Sequence, residues 1–142
     1  MTTAVDTNVF AALLRGTVEE AGIARRALRK ADAAGALVVS PPVYAELAAA
    51  PGGDAEALDT FLERAGVRVD WAMGEDVWRE AARAYGGYAE RRRAQPDNRG
   101  PRRILADFIV GAHALLHASA LLTFDRRLYH AAFPDLEVLV SE

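Results

Sequence analysis

Residues 104–125, ILADFIVGAHALLHASALLTFD, decide the fold. The run from Ile104 to Leu122 is apolar except for Asp107, His113, His117 and Ser119. An aspartate at the centre of a membrane-spanning helix costs about 2.5–3.5 kcal/mol. Asp107 sits nearer one end, so this penalty argues only moderately against a span. A buried helix over Ile104–Ala118 running into a strand at Leu121–Thr123 fits better, and that strand stops just short of Asp125. A carboxylate at the edge of a core costs several kcal/mol unless something pairs with it. The rest of the chain must therefore supply a partner for Asp125 or import one.

Working outward, the same pattern recurs. Thr2–Asp6 reads as a first strand that also ends on an acid, and Val9–Arg15 as a short helix after it. Val18–Ala34 is helical by period, with Ile23, Ala27 and Leu28 on one face and Arg25, Arg26, Arg29 and Lys30 on the other; Gly35 stops it. Ala36–Val39 is a short apolar strand, and Ser40-Pro41-Pro42 opens the next helix with Ser40 as N-cap. Pro51-Gly52-Gly53 ends that helix, Asp54 caps another through Ala65, Val67–Val69 is a brief strand and Glu75–Arg93 a longer helix. The segment 91–103, RRRAQPDNRGPRR, reads as a loop, and Glu137–Val140 as a last strand. Short strands alternating with helices predict βα units and a parallel sheet covered on both faces, with ligands beyond the carboxyl ends of the strands.

Composition sets the outer bounds. The 142 residues are 51% hydrophobic, enough for one domain over 1–142 with a real core. The formal net charge of −3 advertises no overall attraction to nucleic acid, although the basic residues are all arginine except Lys30. Cysteine is absent, which removes disulfides, thiolate zinc sites and a thiol nucleophile together, and predicts a reducing, cytoplasmic setting. An acid at Asp6 and no basic region followed by a long apolar core argue against a signal peptide.

Four acids carry the chemistry. Asp6 and Asp125 end strands; if those strands are parallel neighbours, both carboxylates emerge at one sheet edge. Asp107 lies in the first turns of the apolar helix, on a face with Ile104, Gly111 and Ala114, where the small residues would allow close approach to the sheet. Glu46 lies in the helix after the second strand. The four are separated by 40, 61 and 18 residues, so only tertiary topology can collect them. Converging carboxylates repel one another without a counter-charge, which Mg²⁺ or Mn²⁺ supplies as a hard cation suited to oxygen ligands. Singly, Asp6 and Asp125 could be caps or turn residues and Glu46 a solvated helix residue. Asp107 is the hardest to dismiss, because so apolar a run rarely carries an unpaired charge.

The segments AVDTNV, PPVYAEL, RRILADFIVGAHALLHASALLTFDRRLY and FPDLEVL, in that order along the whole chain, resemble the PIN-domain ribonucleases, most of all the VapC toxins of bacterial type II toxin–antitoxin systems. The resemblance implies a three-layer α/β/α sandwich around a twisted parallel sheet. It implies a Mg²⁺- or Mn²⁺-dependent endoribonuclease whose acids fall on Asp6, Glu46, Asp107 and Asp125, with Asp6 and Asp107 at the positions usually assigned to the metal. It also implies a homodimer inhibited by a cognate antitoxin, whose C-terminal segment lies along the active-site groove. Relatives act on transfer or ribosomal RNA. Phe124 departs from the pattern, since many relatives carry a polar or basic residue there.

Thr7, Asn8 and Thr123 flank the acids and could orient them, though helix capping accounts equally for the first two. Arg99, Arg102 and Arg103 are candidates to hold RNA phosphates that the acids would repel, with a solvated loop as the plainer account. An antitoxin should place an arginine or lysine near Asp6 and Asp107. His113 and His117 stand four apart, a zinc-binding spacing, but without a third ligand they read as satisfied, partly buried histidines. His130 reads as a surface-turn residue. Two rival functions stay open: a non-catalytic PIN-like domain that binds RNA or protein, and, well below it, a phosphoryl-accepting receiver domain, which would need a lysine near the site.

Overall fold

The structure is a computed structural model that describes residues 1–95 and 102–140. Five strands form one all-parallel sheet: β1 (Thr2–Val5), β2 (Ala36–Val39), β3 (Val67–Val69), β4 (Ala120–Leu122) and β5 (Val138–Leu139). Their order is β3-β2-β1-β4-β5. The connecting helices are α1 (Thr7–Arg15), α2 (Val18–Ala34), α3 (Pro41–Ala49), α4 (Ala55–Ala65), α5 (Glu75–Ala94), α6 (Leu105–His117) and α7 (Arg126–Ala132). The order steps one way from β1 to β3 and the other way from β4 to β5. Right-handed crossovers therefore put α1 to α4 on one face and α5 to α7 on the other. The packing agrees, with α1 against α2 and α3, and α5 against α6 and α7. This is the three-layer α/β/α arrangement.

Strands covered on both faces must be apolar on both, and three consecutive residues are buried in each of β1, β2 and β4. Val9, Phe10, Val43 and Leu62 close the core on one side, and Val77, Ala81, Phe108 and Tyr129 on the other. Each large side chain so buried contributes roughly 1.5–3 kcal/mol.

Local chemistry places the helix ends. Asp6 caps α1 by accepting the Thr7 N–H, Thr17 and Glu20 cap α2 reciprocally, and Asp54 caps α4. Gly35 follows α2 at φ +155°, and a Cβ there would lie 1.7 Å from the Met1 carbonyl oxygen, so glycine is needed where the chain start crosses the entry to β2.

Several expectations need correction. Arg91–Ala94 belong to α5, because the helix runs one residue past the expected Arg93 and ends at its C-cap, Gln95. Residues 96–101 of the expected loop lie outside the described residues. Residues 126–132 form α7, capped by Asp125, so exposed His130 is a helical residue and not a turn residue; it accepts from Arg126 Nε at 3.2 Å. β4 spans Ala120–Leu122, because its pairing with β1 runs from Ala120 to Leu122. At Gly111 the space is taken by the Phe133 ring, which a Cβ would approach to 2.2 Å, while α6 as a whole packs on β4. Ser40 precedes α3 but makes no capping hydrogen bond.

Candidate active site

The strand order reverses between β1 and β4, and the site lies at their carboxyl ends, where open α/β sheets leave a crevice. Val5 pairs with Leu122, and the Asp6 N–H donates to the Leu122 carbonyl at 3.0 Å. The ends of the two strands are thereby locked side by side.

Asp6 is only 6% exposed. Its Oδ1 accepts the Thr7 N–H at 2.8 Å, and its Oδ2 accepts the Thr123 hydroxyl at 2.8 Å and the Tyr129 hydroxyl at 3.0 Å. Burial nevertheless outweighs these bonds and pushes its pKa up to about 6, with the Asp107 charge adding a little. Thr123 acts as a junction: besides donating to Asp6, its Oγ1 accepts from Asn8 Nδ2 at 3.3 Å and from the Asp125 N–H at 3.0 Å. Asn8 Oδ1 in turn accepts the Phe124 N–H at 3.2 Å, so residue 124 contributes its backbone here. Asn8 and Thr123 thus tie Asp6 to the β4–α7 turn.

The other acids reach the same region from different elements. Glu46, exposed on α3, accepts the Thr7 hydroxyl at 2.8 Å, one residue from Asp6. Asp107, half-buried in the first turn of α6, has its pKa raised by burial and by the Asp125 charge, offset in part by the Ile104 N–H and by Arg103. Asp125 caps α7 by accepting the Leu128 N–H. The charges of Asp6, Asp107 and Asp125 all act on one phenol, Tyr129, whose pKa is raised mainly by burial and then by these three neighbours. Tyr129 is a site residue that the sequence reading missed; the only signal was its position one helical turn after Asp125.

The arginines divide. Arg103 pairs with Asp125, its Nη1 lying 2.5 Å from Oδ2. Arg102 is exposed and lines a shallow depression with Tyr85, Tyr88 and Leu105. Arg99 lies outside the described residues. The two histidines of α6 point away from the acids: His113 pairs with Asp70 at 2.9 Å and His117 with Asp76 at 3.0 Å.

Among the described residues, no three carboxylates or imidazoles converge tightly enough to form a ready-made metal cage. The donor set still fits a hard divalent cation. It is all oxygen, burial holds its Asp6 member at an elevated pKa, and such ions often take few carboxylates and fill the rest with water and phosphate.

The PIN domain family profile matches residues 3–134. The chain belongs to the PIN-domain family. Its nucleases usually work with a divalent metal. No curated protein sequence matches the chain. Among solved structures, the PIN domain is similar to the VapBC-1 complex of nontypeable Haemophilus influenzae, with 22% identity, a TM-score of 0.65, and coverage of 99% of this chain and 98% of that one. It is also similar to FitAcB from Neisseria gonorrhoeae (21%, TM-score 0.64, 96% of both chains). A third is VapBC2 of Rickettsia felis bound to a promoter DNA fragment (16%, TM-score 0.55, all of both chains). At these identities the likeness establishes the fold. No helix among the described residues of this PIN domain is long and apolar enough to cross a membrane.

Proposed function

We propose that this PIN domain is a Mg²⁺- or Mn²⁺-dependent endoribonuclease, the toxin of a type II toxin–antitoxin pair, acting as a homodimer and held inactive by a cognate antitoxin. The observation that supports it most is that Asp6, which accepts the Tyr129 hydroxyl, and Asp107 and Asp125 all act electrostatically on that one phenol, with Glu46 joined to the Asp6 segment through Thr7. When bound, the dication would polarise a phosphodiester oxygen and ease deprotonation of an attacking water. The chain's own part is to hold the acids. Asp6 and Asp107 are the residues to bind the metal, with Glu46 and Asp125 completing the acidic face. Thr123, Asn8 and Thr7 fix the carboxylate orientations through the hydrogen bonds described above. The antitoxin reading is supported by the solved complexes of similar fold, which are named as VapBC and FitAcB pairs.

Asp107→Asn should lose cleavage of total RNA in Mg²⁺ by about 10²-fold or more while keeping its circular dichroism spectrum, because a metal-binding carboxylate is replaced with little change of shape. A fully active variant would remove the assignment. The antitoxin half is checked by co-purification with the product of the adjacent upstream gene. Free, uninhibited protein recovered at high yield from growing cells would count against it.

A further inference from the structure

Arg103 flanks the acids, as its place in the sequence suggests, and is bound to one of them. Its Nη1 lies 2.5 Å from Asp125 Oδ2, and both side chains are partly sheltered, at 21% and 30% exposure. The same guanidinium acts on Asp107. The backbone around it is anchored: the Arg103 N–H donates to Tyr88 Oη at 2.8 Å, and the Tyr88 ring packs on Phe108, the neighbour of Asp107, at 5.4 Å. The main chain is therefore fixed beside the site, while the long side chain can swing from it.

A guanidinium on Asp125 and a dication among the acids compete for the same oxygens. The dication wins on charge, but against a resident cation it must do so at higher concentration. Once released, the guanidinium fork remains tethered within a side chain's length of the site, and that fork matches a phosphate better than a lone ammonium does.

Resting on the nuclease reading, we propose that Arg103 is an internal counter-cation of the acid cluster, which a divalent metal displaces from Asp125 and which then takes the substrate phosphate. It is a substrate-binding and gating residue of the site, separate from the acids themselves.

The test is isothermal titration of Mn²⁺ into the wild type, Arg103→Gln and Arg103→Lys, with steady-state RNA cleavage on the same proteins. Arg103→Gln should bind Mn²⁺ on the order of tenfold tighter, as expected for removing one positive charge near a dication, and should show a raised KM for RNA. Arg103→Lys should keep Mn²⁺ affinity near the wild type, since the charge remains, while still raising KM, since the fork is gone. If Arg103→Gln does not fold, Arg103→Met removes the same charge and reads the same quantity. Unchanged Mn²⁺ affinity in the neutral variant, in a wild type that binds Mn²⁺ and cleaves RNA, overturns this inference alone. A wild type that binds no Mn²⁺ overturns it together with the nuclease reading.

Discussion

Burial leaves the Asp6 carboxyl with a pKa near 6 although three hydrogen bonds favour its ionised form. In the unfolded chain that value is 3.8. The folded state therefore holds the proton more tightly. Above pH 6 the folded protein carries the full cost of the buried charge, the cost shrinks as pH falls through 6, and below 3.8 it vanishes because both states are protonated. A shift of about two units corresponds to roughly 3 kcal/mol. In metal-free buffer at about pH 8, well above that folded-state value, Asp6→Asn should raise the melting temperature by several degrees, and the gain should close towards about pH 4. Paired calorimetric scans at the two pH values check it, and an equal or lower melting temperature at the alkaline one would show that the buried charge is already compensated. The sequence showed Asp6 at a strand end, but burial and the Tyr129 hydroxyl come from chain more than a hundred residues away, which no local pattern reveals.

At the scale of elements, α6 carries Asp107, and its placement depends on contacts made further along the same helix. Gly111 admits the Phe133 ring, and buried His113, 1% exposed, donates its Nε2–H to Asp70 Oδ2 just beyond β3. Burial lowers the His113 pKa, with Asp70 opposing, so the folded state favours neutral imidazole. Gly111→Ala sets a methyl carbon against the ring and should cost about 1–3 kcal/mol, in the range of core overpacking. Urea denaturation measures it, and Phe133→Leu in the same chain should recover part of the loss by shortening the ring that is hit. No recovery would mean that the helix itself, not Phe133, resents the added carbon. The apolar period of 104–118 predicted the helix correctly. The helix packs on β4 as a face of small residues suggests, but that face does not state which side chain fills the space at Gly111.

For the whole molecule, a metal that binds only the folded site must stabilise the fold by mass action, by about 2.7 kcal/mol at a hundredfold excess over Kd. Adding Mn²⁺ should raise the melting temperature of the wild type, chelation should reverse the rise, and Asp107→Asn should show little of it; an equal rise in the variant would move the metal elsewhere. The alternation of short strands and helices determined the parallel sheet with helices on both faces, because runs apolar on both sides can be buried in no other way. The cap at Asp54 fixed a helix start from chain within two residues, so it too was legible. The sequence by itself also pointed to Asp6 and Asp125 as acids at strand ends, since a carboxylate closing an apolar run is conspicuous in any reading. Only the tertiary structure decided that Tyr129 reaches Asp6 and that Arg103 sits on Asp125. Those contacts join residues 123 and 22 positions apart, and such pairings are chosen by the strand order and by burial, which act after the local code has been spent.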